Sequence, residues 1–488
     1  MVSSCHQLHI FFFPYMAHGH MIPIVDLAKL FALRGLKTTI ITTCLNAPLI
    51  SKTIQRTKDL GIDIDIQILK FPSVEAGLPE GCENLDSITS YDDGSLELIF
   101  KFLKATTLLQ EPLEKLLQDC QPDCLVADLQ FPWATDAADK FGIPRLVFKG
   151  TCFFSLCTLE CIRLYEPHKK VTSDSEPFVL TNLPGDIKMT RKQLPDDLIQ
   201  DFETDYSKLM KEIAESELRS FGIIVNSFYE VEPAYVDYYK KALGKRAWPI
   251  GPVSLCNGGI DDKAQRGKEA SISENECLKW LDSKKRNSVI YICFGSMVNF
   301  SASQLMEIAK ALEASGQEFI WVVRREKKNK KDEEDWLPKG FEERIERKGL
   351  IIRGWAPQVL ILNHEAIGGF LTHCGWNSVL EAITAGKPMV TWPVFADHFY
   401  NEKLVSEVLQ IGVSVGVKEW VAVHGDYVTT EAIEKAITEL MVGKEAKEMR
   451  SRAKKLGEMA TQAVEEGGSS YSNLSALVEE VRSHRHRP

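Results

Sequence analysis

Two stretches, one in each half of the chain, open the same way. Each is an apolar run, interrupted only by His9 in the first, followed by a glycine-containing turn and then by apolar residues at helical spacing. Leu8 to Phe13 is the first run and Val289 to Phe294 the second. A run of this length with apolar residues on both faces, bounded by turn residues, fits a strand buried on both faces, and such strands belong to parallel sheets covered by helices. After the first run, Ile24, Leu27, Ala28 and Phe31 share one helical face, Gly35 stops the helix, and Leu36 to Thr42 reads as the next strand. After the second, Ser301 and Gln304 form a capping box for a helix with Leu305, Ile308, Ala309 and Leu312 on one face, and Phe319 to Val323 follows as a strand. The recurrence predicts an α/β chain of two doubly wound, Rossmann-like domains.

Between these openings the pattern continues. Cys124 to Ala127 is a short strand ending in Asp128, a helix runs over roughly Trp133 to Phe141, and Ile143 to Phe148 is another strand. Trp248 to Gly259 is rich in proline and glycine and leads into charged residues, which makes it the linker. The charged run Arg325 to Asp335 reads as a solvated loop. The net charge of -10 argues against a nucleic-acid partner, which calls for a basic face. The 12 cysteines form no CxxC pair, so neither a zinc knuckle nor a disulfide framework is indicated. The first residues carry no basic leader or cleavage site, and no apolar stretch reaches the roughly 18 residues of a membrane span. A cytoplasmic chain with free thiols is the expectation.

Ligands of open α/β sheets bind beyond the carboxyl ends of the strands, and His20 and Asp128 both fall there in the first half. A neutral imidazole near a helix start can take a proton from a hydroxyl, and a carboxylate on its other nitrogen fixes the tautomer and stabilises the imidazolium. His18 reads as a polar loop residue beside this pair.

The densest chemistry lies between Trp355 and His398, WAPQVLILNHEAIGGFLTHCGWNSVLEAITAGKPMVTWPVFADH. Trp355 offers a plate for a planar base. Ile367 to Thr372 is a strand that delivers His373, Cys374 and Gly375 to a helix start, where backbone N–H groups can take a pyrophosphate without a metal. Glu381 lies one turn beyond Asn377 and Ser378, on about the same face. This segment, with Gly19-His20-Met21-Ile22-Pro23 and the VADLQFPW stretch around Asp128, closely resembles the signature of plant family 1 UDP-glycosyltransferases.

The resemblance covers nearly the whole chain and implies the GT-B fold: two facing Rossmann-like domains with a cleft between them. It implies an acceptor-binding domain over 1–250, a UDP-sugar-binding domain over 251–465, and a segment 466–488 whose helix, about Ser469 to Val481, crosses back to the first domain. The activity implied is inverting transfer of a hexose from a UDP-sugar to a hydroxyl, with His20 as base and Asp128 as its activating carboxylate. The donor set implied is Ser296, Trp355, Ala356, Gln358, His373, Gly375, Trp376, Asn377, Ser378, Glu381, Asp397 and His398. The UDP-sugar is a co-substrate, and neither cofactor nor metal is implied. Most glucose users of the family carry Gln where this chain has His398, and some members with His there prefer galactose or, in other cases, a pentose; either side chain can donate to an equatorial or an axial hydroxyl, so UDP-glucose is kept first with UDP-galactose close behind.

The acceptor pocket is expected from loops around Met16, Pro79 to Thr89, Phe131, Gly150 to Phe154 and Tyr165 to Gln200. Their aromatic and sulfur-bearing residues suggest a flat or bulky apolar alcohol, a flavonoid, another phenolic or a triterpenoid, taken by a monomer. Three rival readings predict different behaviour. A UDP-sugar epimerase turns over sugar without an acceptor. A silent binding protein lacks a base. A dinucleotide oxidoreductase carries GxGxxG after a first strand, which neither half does. Asp63-Ile64-Asp65 is a DxD triplet, a pattern that binds a divalent metal in the other major transferase fold, but within GIDIDIQIL it reads as one face of a solvated strand.

Overall fold

The computed structural model describes residues 7–88, 95–199, 204–324, 336–421 and 425–485. The charged run Arg325 to Asp335, Thr89, Gln200 and the end of the basic tail lie outside them. In the first half the strands are β1 (His9–Phe13), β2 (Lys37–Thr43), β3 (Ile64–Leu69), β4 (Cys124–Asp128), β5 (Arg145–Lys149), a small antiparallel pair β6 (Phe178–Val179) and β7 (Lys188–Met189), then β8 (Gly222–Val225) and β9 (Ala247–Pro249). In the second half they are β10 (Val289–Cys293), β11 (Glu318–Val323), β12 (Gly349–Arg353), β13 (Ile367–Thr372), β14 (Met389–Thr391) and β15 (Gly412–Ser414).

The first sheet runs β3-β2-β1-β4-β5-β8-β9 and the second β12-β11-β10-β13-β14-β15, every neighbouring pair parallel. In each, the order reverses beside the first strand, between β1 and β4 and between β10 and β13. That reversal opens the crevice where doubly wound sheets bind ligands. The central strands are buried along nearly their whole length, which explains why apolar residues dominate both of their faces.

The first helix spans His18–Ala32, so it begins earlier than its apolar spacing suggests. Its first residue is held by Asp86, whose carboxylate accepts the His18 backbone N–H at 2.8 Å. A cap supplied from 68 residues away leaves no local signal. The capping box at Ser301 is half formed. Ser301 accepts from the Gln304 N–H, while the Gln304 side chain turns to the main chain of Val428. The DxD acids flank a buried Ile64, and exposed Asp65 pairs with Lys58 at 2.6 Å.

The terminal helix, Ser469–Arg485, lays Leu474, Leu477 and Val481 into the core of the first sheet, beside Ile10, Phe12 and Trp248. Each such side chain contributes about 1.5–3 kcal/mol on burial. Arg34 sits 3.5 Å over the Tyr471 ring, and Ser470 donates to the Gly251 carbonyl. Among the described residues no helix is long and apolar enough to cross a membrane, and every described cysteine is a free thiol.

Candidate active site

β1 and β4 lie side by side, so their carboxyl ends bring His20 and Asp128 together although 108 residues separate them. His20 stands in the first turn of the helix after β1, and Asp128 is the last residue of β4. His20 Nδ1 lies 2.8 Å from Asp128 Oδ2. Asp128 is wholly buried and accepts the Gln130 N–H on its other oxygen, whereas 34 % of the His20 side chain remains open. Burial acts to lower the His20 pKa, but the charge and hydrogen bond of Asp128 outweigh it, and the net shift is upward. With Nδ1 bonded to Asp128, Nε2 is the nitrogen left for a ligand. The Tyr15 ring packs edge-on at 5.5 Å.

His18 is not a loop residue. It is buried, and its Nδ1 contacts the Asp86 carboxylate. Burial acts to raise the Asp86 pKa, yet the bond and charge of His18 hold it below the usual value. Asp86 Oδ1 also accepts from Ser296 Oγ at 3.2 Å, in the turn after β10. Ser296 therefore faces the first domain across the cleft.

On the second sheet, β13 ends at Thr372, and His373, Cys374 and Gly375 lead into the helix Trp376–Thr384. The His373 ring lies between two glycines. A Cβ at Gly295 would come within 2.6 Å of it and one at Gly375 within 2.5 Å, so only glycine lets the two turns approach. Burial pushes the His373 pKa down to about 4, which keeps the ring neutral, and its buried Nδ1 has no partner. Cys374 and Ala396 adopt left-handed backbone at φ 66 and 51, strain of the kind concentrated at ligand sites.

Gln358 Nε2 donates to Ser378 Oγ at 3.1 Å and to Glu381 Oε2 at 2.8 Å, gathering three of the expected donor residues. Trp355 and buried Ala356 open the same turn, and the Trp355 ring lies 5.5 Å from His18. The Asn377 amide donates to the Gly19 carbonyl at 2.6 Å, directly before His20. The Trp376 indole N–H is bonded to the Asn226 carbonyl at 2.7 Å, so it is not free for a sugar; the residue offers ring surface and backbone. Asp397 Oδ2 accepts from Thr151 Oγ1 at 2.5 Å, and burial raises the Asp397 pKa. His398 Nδ1 accepts the Phe395 N–H at 3.2 Å, which puts the ring proton on Nε2, and burial holds the imidazole well below its usual pKa.

These contacts close the cleft with His20 facing the second domain, near enough for the Asp397 charge to act on it. Thr151, named only within a pocket loop, thus meets Asp397. Asp86 was likewise named only within the Pro79 to Thr89 loop, and Arg266 was missed outright; Arg266 contacts Glu381 Oε1 and Asp26 Oδ2. Their partners lie between 68 and 246 residues away, and no local spacing announces them. Among the described residues no group of three or more His, Cys, Asp or Glu is arranged to hold a metal.

A family model described as UDP-glucoronosyl and UDP-glucosyl transferase matches residues 97–456. Scopoletin glucosyltransferase of Nicotiana tabacum is 58% identical over 478 residues, 98% of each chain. UDP-glucose flavonoid 3-O-glucosyltransferase 7 of Fragaria ananassa is 58% identical, with 98% of this chain and 97% of that one covered. The crystal structure of Glycyrrhiza uralensis UGT73P12, complexed with glycyrrhetinic acid 3-O-monoglucuronide, superposes with a TM-score of 0.91 at 43% identity, covering 98% of this chain and 96% of that one. The two sheets facing one cleft are the GT-B arrangement of these proteins. A match of this extent in both sequence and fold places the chain in the UDP-glycosyltransferase family, as an enzyme that takes a UDP-sugar donor and a small-molecule acceptor.

Proposed function

We propose that this chain moves a hexose, glucose first, from UDP-glucose onto a hydroxyl of a small apolar plant metabolite such as a flavonoid, another phenolic or a triterpenoid. The observation that carries the reading is the His20–Asp128 pair, bonded at 2.8 Å through Nδ1 and so leaving Nε2 for an acceptor. The acceptor hydroxyl gives its proton to Nε2 of His20, and Asp128 stabilises the imidazolium. The oxygen attacks the anomeric carbon in line, the bond to the diphosphate breaks, and UDP leaves. Neutral His373, Asn377, Ser378, the Ser296 turn and the N–H groups after Gly375 hold the charge that develops. Trp355 stacks on the uracil with Ala356 and Gln358 beside it, Glu381 takes the ribose hydroxyls, and Trp376, Asp397 and His398 line the sugar.

The Nicotiana scopoletin glucosyltransferase and the Fragaria flavonoid glucosyltransferase support glucose and a phenolic acceptor, and the ligand of the Glycyrrhiza structure keeps a triterpenoid alcohol in range. His398, donating from Nε2, suits an equatorial or an axial hydroxyl, so UDP-galactose is the second donor. We further propose that the enzyme acts as a cytoplasmic monomer without a metal, built of the units 1–250, 251–465 and 466–488.

The base works only when neutral. Because Asp128 raises its pKa, His20 stays protonated to a higher pH than a free imidazole. The acid limb of kcat/KM is therefore expected to have its midpoint above the usual 6.5 or so, with activity lost as the pH falls through it. A pH–rate profile measures this directly.

The function is tested by UDP release from UDP-glucose, UDP-galactose, UDP-xylose and UDP-glucuronate, with chelator, with and without a pool of phenolic and triterpenoid alcohols. Release that depends on acceptor, is fastest with UDP-glucose and survives chelation is the expected result. Release that needs a metal would restore the DxD reading, and sugar turnover without acceptor would restore the epimerase.

A further inference from the structure

Glu381 is held from behind by a residue that belongs to neither Rossmann sheet. Arg266 lies in the connection between the sheets, with 12 % of its side chain exposed. Its Nη1 contacts Glu381 Oε1, and its Nε donates to Asp26 Oδ2 at 2.7 Å. Asp26 is on the helix that carries His20. Its other oxygen accepts from Asn257 Nδ2 at 2.8 Å, and Asn257 Oδ1 accepts from Lys29 at 3.1 Å. The guanidinium is therefore fixed at both ends, and its charge is offset by two buried carboxylates.

The same connection is bonded to the base plate. The Ser271 N–H donates to the Trp355 carbonyl at 2.8 Å, and the Trp355 N–H donates to Ser271 Oγ at 3.0 Å. Gly267, at φ +90, passes so close that a Cβ there would meet the Trp355 ring at 2.6 Å and Ile22 at 2.9 Å.

A carboxylate has about four acceptor sites, two on each oxygen. Arg266 uses one on Oε1 of Glu381, and Gln358 uses one on Oε2. One site per oxygen remains, which matches a pair of vicinal hydroxyls. Without Arg266, one oxygen loses its protein partner, and the terminal carboxylate torsion, broad by nature, is free to turn. The guanidinium also offsets the repulsion between Glu381 and an arriving diphosphate.

We propose that Arg266 is a positioning residue of the donor site, orienting Glu381 toward the two ribose hydroxyls and tying it to the catalytic helix through Asp26. The inference rests on Glu381 being the ribose acceptor, and the test separates the two ideas. UDP and 2′-deoxy-UDP are titrated calorimetrically into wild type, Arg266→Ala, Arg266→Gln and Glu381→Ala, with thermal melting on the same samples. A hydroxyl bonded to a carboxylate gives wild type a roughly ten- to hundredfold preference for UDP. Glu381→Ala abolishes that preference, and both Arg266 variants cut it to about a tenth or less. Arg266→Gln keeps donor groups at the position and serves if the alanine variant does not fold. An Arg266 variant that melts earlier but keeps the full preference has lost only a structural tie, and the proposal is wrong. A wild type that does not distinguish the two nucleotides overturns the ribose reading of Glu381 itself.

Discussion

Asp128→Asn is expected to lower kcat by roughly 10²–10⁴-fold, about as much as losing the base itself, while UDP binding is unchanged. The asparagine amide fits the same space but can donate to His20 Nδ1. That bond forces the ring proton onto Nε2, the nitrogen that must take a proton from the acceptor. The wild-type bond, 2.8 Å between Nδ1 and Oδ2, fixes the opposite tautomer. The variant also removes the charge that holds the His20 pKa up, so what activity remains loses its elevated acid limb. Steady-state kinetics with UDP calorimetry checks both halves. A variant that keeps its kcat would mean that Asp128 only packs the end of β4.

Glu381→Ala is expected to weaken UDP binding roughly 10²–10⁴-fold, since hydrogen bonds to a charged group are worth about 1.5–3 kcal/mol each and two are at stake. The loss should fall on donor KM and leave kcat at saturating donor largely intact, because the ribose is remote from the reacting carbon. Gln358 sets the geometry of this side chain from one edge and Arg266 from the other. The variant leaves Arg266 with Asp26 alone, so a modest fall in thermal stability accompanies the binding defect. Equal losses in kcat and kcat/KM would show instead that Glu381 acts in the transition state.

The two-domain architecture was legible because strands buried on both faces leave runs dominated by apolar residues rather than an alternating pattern. β1 and β10 declared themselves that way, and the resemblance to the GT-B transferases supplied the facing arrangement that the comparisons bear out. The start of the first helix was not legible, because Ala17 is no capping residue and Asp86 does the capping from 68 positions away. The donor candidates were legible where chemistry is packed into consecutive residues, from Trp355 to His398. Contacts across the cleft were not: Thr151 with Asp397, Ser296 with Asp86, and Arg266 with Glu381 join side chains that only the closed tertiary structure brings together. His18 shows the converse. It precedes the His20 position of the turn and reads as a polar loop residue, because the partner that buries it, Asp86, is remote in sequence.

Whether His20 is the base of a glycosyl transfer is decided by acceptor-dependent UDP release from wild type and His20→Ala, with UDP binding measured on the same samples. The wild type is expected to release UDP only when acceptor is present, and the variant to lose that release while UDP still binds. Release by the variant at the wild-type rate, or release by the wild type without acceptor, would contradict that role.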